Sequence, residues 1–368
     1  MKIALVVPGG VDRSGETRVI PALLALMRRL ARGHELHVYA LSQEPRPGTW
    51  TLEGASVHNL GAGWTRTRAV QAILREHRVA PFHVLQSVWS GAPGTVAVTA
   101  ARLLRRPCLV HVAGLELVAR PDVAGGGRVR WRGRLREALN LGAASAITAA
   151  SAPIVQSLAA LGHHAERVPL GVDLETWPSS PPRRRSASGP LRLVHVASLN
   201  PVKDQATLLH ALGRLERDGV DFRIDVVGED TLGGRVQALA RELGLGDRVR
   251  CHGFLTRRRL RPLVEAADVH VVSSRHETGP LVMLEAAVAG VPTVGTRVGH
   301  LAEWAPTAAL AVDVGDADAL AVAIRSLAFD EEQRLAVAHQ AWQRATAEDA
   351  DCTAARFQAL YAQVSSGR

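Results

Sequence analysis

The sequence predicts an α/β protein built as two doubly wound parallel-sheet domains, and three observations carry that expectation. Short apolar, β-branched runs recur along the chain and alternate with longer amphipathic stretches, the pattern of strand–helix–strand units. The alternation breaks once, at Trp177-Pro-Ser-Ser-Pro-Pro-Arg-Arg-Arg-Ser-Ala-Ser-Gly-Pro190, which offers almost nothing to bury and reads as a linker. The 368 residues suffice for two full-sized cores. Domains are expected at 1–175 and 191–348, with 176–190 between them.

Lys2–Val7 is a near-continuous apolar run, a central strand buried on both faces. The loop Pro8-Gly-Gly-Val-Asp-Arg-Ser-Gly15 leads to a helix from about Glu16 to Arg32, with an apolar stripe at Val19, Leu23, Leu26, Met27 and Leu30. Leu36–Leu41 is the next strand. Strands near Val84–Ser87, Leu109–Ala113, Ala146–Ala149 and Arg167–Leu170 then alternate with helices near Arg66–Arg78, Thr95–Leu104, Arg128–Asn140 and Ala152–Leu161. Beyond the linker the strands are Leu193–Ala197, Arg223–Val227, Arg248–His252, Val269–Ser273, Thr293–Thr296 and Ala309–Val314. Helices such as Gln205–Leu215 and Gly234–Leu243 lie between them, and two more, about Glu331–Ala347 and Ala355–Val364, close the chain.

Cys108, Cys251 and Cys352 are scattered without a framework spacing, which excludes a disulfide scaffold and suggests a reducing compartment. The opening MKIALVV is too short for a secretion signal, and no run reaches the length of a membrane span. A cytoplasmic location is expected. The formal net charge of +9 favours anionic partners. Its densest source is Arg128-Val-Arg-Trp-Arg-Gly-Arg-Leu-Arg136, read either as a solvated helix face or as a patch for anionic lipid or an acceptor phosphate. Arginines at every second position spread around a helix and form no single stripe, which weakens the case for peripheral membrane association. Arg183–Arg185 in the linker reads as solubilising.

Function is expected outside the carboxyl ends of strands, and Ser273–Pro292 is the most informative such place. Gly279-Pro280 precedes a helix-forming segment, Leu281–Ala289, which Gly290 and Pro292 close. The amides of Leu281, Val282 and Met283 would lack intrahelical partners and form an anion site. Glu277 and Glu285 bracket it. Phosphate donors flanked by carboxylate acceptors suit a ligand with both phosphates and hydroxyls, which points to a nucleotide-sugar.

The order and spacing of several motifs resemble the retaining glycosyltransferases of family 4. They are Glu277 and Glu285 with seven residues between them, Ala286-Ala287, Gly290-Val-Pro292, Gly228-Glu-Asp230, and Leu243-Gly-Leu-Gly-Asp-Arg-Val249 leading to His252-Gly253. Ala197-Ser-Leu-Asn-Pro-Val-Lys203-Asp, Val168-Pro-Leu-Gly-Val-Asp173, Pro8-Gly9-Gly10 and Gly33-His34-Glu35 complete the set. The resemblance spans nearly the whole chain. It implies the GT-B fold, two Rossmann-like domains facing each other across a cleft, with the acceptor on the first and the donor on the second. It also implies that the last helix, about 350–368, packs back on the first domain.

The resemblance assigns roles as well. Glu285 would accept hydrogen bonds from ribose hydroxyls and Glu277 from the donor sugar, and the backbone at Leu281–Met283 would hold the distal phosphate. Lys203 would neutralise the departing diphosphate. Ser198, Gly228, Gly253 and Gly279 would join the donor site, while Gly9 and Gly10 would let a loop approach the phosphates closely. No metal and no cofactor beyond the nucleotide-sugar donor are expected. Two positions depart from the family. Ser198 stands where it carries arginine, so Lys203 acts alone or with Arg275 or Arg297. Ala113 stands where it often carries histidine, and His111, on the same strand face, is the candidate replacement. Asp12, Arg13, Glu116 and the segment 114–136 are candidates for acceptor contacts.

Other signals have plainer readings. His163-His164 is a poor chelate. Asp316-Ala-Asp318 matches the Asp-x-Asp of metal-dependent glycosyltransferases, but it follows Gly315 and opens a helix, so Asp316 is expected as an N-cap. Asp349-Ala-Asp351 reads as chance. A sugar epimerase or phosphorylase of the same fold is an alternative to the transferase. A nucleic-acid-binding protein would need aromatics on its basic face, and only Trp131 lies within the arginine run.

Overall fold

In the computed structural model of the chain, residues 1–118, 128–186 and 189–366 are described. They form two units, Met1–Asp173 with Glu348–Arg368, and Leu174–Ala347. The first unit contains β1 (Lys2–Val7), α1 (Pro21–Gly33), β2 (Glu35–Ala40), β3 (Gly48–Leu52), β4 (Ala55–Asn59), α2 (Thr65–Val79) and β5 (Val84–Val88). It continues through α3 (Ala92–Leu104), β6 (Cys108–Val112), α4 (Trp131–Gly142), β7 (Ala146–Ala149), α5 (Ala152–Ala160) and the two-residue β8 (Glu166–Arg167). The strand order is β3-β4-β2-β1-β5-β6-β7-β8. Every residue of β1 is buried, because helices cover both faces of a central parallel strand.

Two features of this unit differ from the sequence reading. The sheet is mixed, since β3 and β4 pair antiparallel around Glu53 and Gly54, both at positive φ (50° and 77°), a hairpin turn that matches strand twist. These short, partly polar edge strands lack the apolar run that marked the others. The first helix begins at Pro21 and not at Glu16. Val19 bridges Val11, the Ile20 amide donates to the Gly10 carbonyl at 3.0 Å, and proline then serves as the first helical residue, where no amide is needed.

The second unit contains β9 (Leu191–Val196), α6 (Gln205–Arg217), β10 (Phe222–Val227), α7 (Arg235–Glu242), β11 (Val249–Gly253), α8 (Arg257–Ala266) and β12 (Val269–Val272). α9 (Leu281–Val288), β13 (Thr293–Thr296), α10 (Gly299–Trp304), β14 (Leu310–Val312), α11 (Ala317–Phe329) and α12 (Glu331–Ala347) follow. Its strand order is β11-β10-β9-β12-β13-β14, parallel throughout. Strand order reverses beside β9, which places the loops after β9 and β12 at the switch point where such sheets bind ligands. Asp316 caps α11, its carboxylate accepting the Ala319 amide at 2.8 Å.

The segment read as a linker is part of this second unit. Trp177 is fully buried. The Ser180 amide donates to Val288 O at 2.8 Å, and the Arg185 amide to Glu331 Oε1 at 2.8 Å. Arg334 donates to the Arg183 carbonyl at 2.6 Å. The acids and arginine of α12 thus satisfy a backbone that its own composition leaves without secondary structure. The chain closes with α13 (Ala350–Ser366), which begins at Ala350 and not Ala355. It returns to the first unit, burying Phe357 and Tyr361 in that core. Asp351 pairs with Arg29 at 2.7 Å, and the Asp349 carboxylate accepts the Cys352 amide at 2.9 Å, so this Asp-x-Asp is structural.

Candidate active site

In the second unit the loop after β9 and the loop after β12 are tied together. Asn200 Oδ1 accepts the amides of Val202 and Lys203 at 3.0 and 3.1 Å, closing a turn that delivers Lys203. The Lys203 carbonyl accepts the Ser273 hydroxyl at 2.8 Å, and the Arg275 amide donates to Val202 O at 2.7 Å. Lys203 Nζ then lies 2.5 Å from Glu277 Oε1, and Ser274 Oγ donates to the same oxygen at 2.7 Å. The side chains are 27% and 12% exposed, so the pair is shielded yet reachable. Two glycines are demanded by close approaches here, one of backbone and one of a side chain. At Gly228 (φ 153°) a Cβ would sit 2.0 Å from the Ala197 carbonyl. At Gly279 one would sit 2.7 Å from His300 Nε2, a buried ring beneath the Glu277 loop.

α9 starts beside this pair with Pro280 as its N-cap residue. The amides of Leu281 and Val282 have no backbone acceptor among the described residues, whereas the Met283 amide donates to Pro280 O at 3.1 Å. The expected three-amide cradle is therefore two amides wide. Glu285 is buried, 8% exposed, and no hydrogen-bond donor among the described residues reaches its carboxylate. Burial pushes it up to about 7, opposed by the charge of Arg257. A buried carboxylate without donors has acceptor capacity that ligand hydroxyls can satisfy. Gly253, at φ 67°, receives the Gly228 amide on its carbonyl at 2.9 Å.

Ser198, where arginine was expected, is exposed, with its carbonyl held by Gln205 at 3.2 Å. Both proposed substitutes have partners of their own. Arg275 Nη1 binds Asp204 at 3.0 Å, and Arg297 donates to Ala311 O at 2.9 Å.

The first-unit candidates are placed differently. Gln43 Oε1 accepts the amides of Gly10 and Val11 at 2.7 and 2.9 Å. Gly10, at φ 81°, carries Ile20 where a Cβ would fall, 2.5 Å from Ile20 Cδ1, and a Gly9 Cβ would lie 3.2 Å from Ser42 O. Packing within the unit explains both glycines. Asp12 accepts the Ser14 amide and hydroxyl at 3.1 and 2.9 Å and pairs with Arg18. Although burial alone would raise it, these partners hold its carboxyl below the usual range. Arg13 is bidentate to Glu44 at 2.9 and 3.1 Å. Gln43, which carried no signal in the sequence, organises this loop.

His111 is fully buried. Its Nδ1 lies 2.9 Å from Thr148 Oγ1, its ring stands edge-on to Phe357, and burial pushes it down to about 3. It is a neutral core histidine, and its seat under α13 removes it from the candidates for contact with a ligand. Glu116 lines a cavity of about 400 Å³ with Trp89, Gly114, Arg136 and Glu137, and its Oε1 accepts the Ser90 amide at 2.9 Å. Glu137, unremarked in the sequence, is buried against Ser90 Oγ at 3.2 Å, and burial pushes it up to about 7. Of the segment 114–136, residues 119–127 lie outside the described residues.

Two family models match the chain, Glycosyltransferase Family 4 over 16–176 and Glycosyl transferases group 1 over 179–344. The chain is 28% identical over 265 residues to an MMP alpha-(1->4)-mannosyltransferase of Mycolicibacterium hassiacum, covering 70% of this chain and 60% of that protein. It spans about half the length of the curated relatives it matches. Among solved structures it is similar to a sucrose-phosphate synthase from Thermosynechococcus elongatus, with a TM-score of 0.83 at 20% identity over 99% of each chain. It is also similar to Anabaena HepE in complex with UDP-glucose, with a TM-score of 0.73 at 17% identity over 98% of this chain and 99% of that one. These structural likenesses establish the GT-B fold.

Proposed function

We propose, for a chain that belongs to the group 1, family 4 glycosyltransferases, that it moves a sugar from a nucleoside diphosphate to an acceptor hydroxyl, with retention and without a metal ion. The observation that carries this reading is the Lys203–Glu277 pair at 2.5 Å, set beside the free amides of α9 and the donor-starved Glu285. Each group matches one part of a nucleotide-sugar. Glu285 accepts ribose hydroxyls, the amides of Leu281 and Val282 take phosphate oxygens, and Lys203 neutralises the diphosphate. Glu277, released from its ammonium, accepts hydroxyls of the sugar. The UDP-glucose held by the structurally similar HepE supports the donor class.

As the bond between the anomeric carbon and the phosphate oxygen breaks, its electron pair goes to the diphosphate. Lys203 and the helix amides stabilise the charge that develops there. The acceptor oxygen bonds to the anomeric carbon on the same face, and its proton passes to the departing phosphate oxygen. Neither Glu277 nor Glu285 serves as a nucleophile: the first is paired and the second sits on a buried helix turn. Acceptor contact is assigned to Glu116 and its cavity, and peripheral contact with an anionic membrane surface belongs to the same reading.

A thermal-shift series with UDP, GDP, ADP and their sugars tests the proposal. One nucleotide series should stabilise the protein, with the shift reduced in Glu285→Gln and in Lys203→Ala. No stabilisation by any of them would overturn it.

A further inference from the structure

We propose that α4 docks the first unit on an anionic lipid bilayer, with Trp131, Leu135 and Leu139 entering the interface and Arg130, Arg132 and Arg134 meeting its phosphates. The inference rests on the membrane clause of the reading above and names the element and the face that make the contact.

On the inner side of this helix, Asn140 donates to the Ser90 and Gly91 carbonyls at 2.5 and 3.1 Å, and Glu137 and Leu141 are buried. That face is settled by the rest of the unit. On the outer side, Trp131, Leu135 and Leu139 are 61%, 52% and 59% exposed. Their spacing of four places them within roughly 80° of arc, one above the other. Ala138 and Gly142, the other exposed residues of that face, are too small to cover them. Isolated exposed leucines are ordinary, whereas three large apolar groups in one crest on a surface helix mark an interaction face.

Charge decides what covers the crest. Arginines at every second position do surround the helix, but the fold removes some from the surface. Arg128 turns inward to 3.6 Å from Glu137, and Arg136 lines the cavity. Of the exposed ones, Arg132 and Arg134 fall on opposite flanks of the crest, Arg130 is the N-cap residue just before it, and Arg132 lies 5.5 Å from the Trp131 ring. None has an acidic partner among the described residues, and the helix's one acid, Glu137, faces inward. An apolar ridge with a tryptophan, bordered on both sides by unpaired cations, complements an anionic headgroup layer above an acyl core. A protein interface or a second copy of this chain would have to supply acids on both flanks.

The test uses the full chain with sedimented vesicles of phosphatidylcholine alone and of phosphatidylcholine with phosphatidylglycerol. Binding is expected to the anionic vesicles, weakened by salt. It should fall by about tenfold or more in Trp131→Ser/Leu135→Ser/Leu139→Ser and become insensitive to salt in Arg130→Ser/Arg132→Ser/Arg134→Ser. Melting temperature and nucleotide-induced stabilisation, measured on the same samples, should match wild type. A triple apolar variant that binds anionic vesicles as wild type does, or a wild type that binds neither vesicle, overturns the proposal. So does a wild-type dimer by light scattering that the apolar variant dissolves without any vesicle binding. Loss of nucleotide stabilisation alone counts against the donor assignment and leaves the docking intact.

Discussion

The loop after β1 and the loop after β9 each follow a central parallel strand of their sheet, yet their polar groups are committed in opposite ways. In the first, Gln43 takes the amides of Gly10 and Val11, Asp12 is closed on Ser14 and Arg18, and Arg13 is closed on Glu44. In the second, the ammonium of the loop's one cation, Lys203, pairs with a carboxylate from another loop and stays partly exposed. The first loop is closed on its own unit, and the second presents an ion pair whose two side chains remain partly exposed. A glycine-rich turn after a strand is therefore no sign of a phosphate site by itself.

The sharpest way to break this contrast is Lys203→Ala. Removing a donor to the leaving diphosphate should lower turnover by about 10²–10³, with the melting temperature nearly unchanged. Wild-type turnover would show that the pair is merely structural. The matching change in the first loop, Gly10→Ala, should act on stability. It forces φ 81° and a 2.5 Å contact with Ile20 on alanine, costing about 1–3 kcal/mol in chemical denaturation. An unchanged midpoint, with catalysis lost, would reverse the assignment of the two loops.

Two carboxylates sharpen the comparison through pH. Glu137 has a folded pKa of about 7, above its ordinary 4.5, so the fold favours the protonated form. Its stabilising contribution is fully present below 4.5 and is lost as pH rises through 7, by roughly 2 kcal/mol between pH 5 and 8. Glu137→Gln should abolish that decline in denaturation midpoints. Glu285 is raised to about 7 as well, but in the proposed donor role it accepts from ligand hydroxyls, which favour the ionised form. Nucleotide affinity by calorimetry should rise several-fold from pH 6 to 8, and Glu285→Gln should flatten the profile.

Most strands were legible because central parallel strands are buried on both faces and so read as apolar runs; β1, β7, β12 and β13 lie where their runs placed them. The hairpin β3–β4 was not, although Glu53-Gly54 between Thr49-Trp50-Thr51-Leu52 and Ala55-Ser56-Val57 was its signal. The candidate site of the second unit was legible because Glu277, Pro280 and Glu285 are neighbours in sequence, and one strand end positions all three. Gln43 and Glu137 carried nothing a sequence reader can separate from surface polar residues.

By itself, then, the sequence determined the α/β class, the repeated doubly wound plan, the family, and the chemical identity of Lys203, Glu277 and Glu285. Periodicity and short-range motifs encode these directly. Tertiary structure alone decided which groups are already satisfied. It closed Arg13 and the Gly10 amide on partners from the loop after β2, buried His111 under α13, drew the linker into the second unit, and sorted the arginines around α4 into inward and outward sets. Each of those outcomes depends on what residues distant in sequence bring within hydrogen-bond reach, and spacing along the chain carries no record of that.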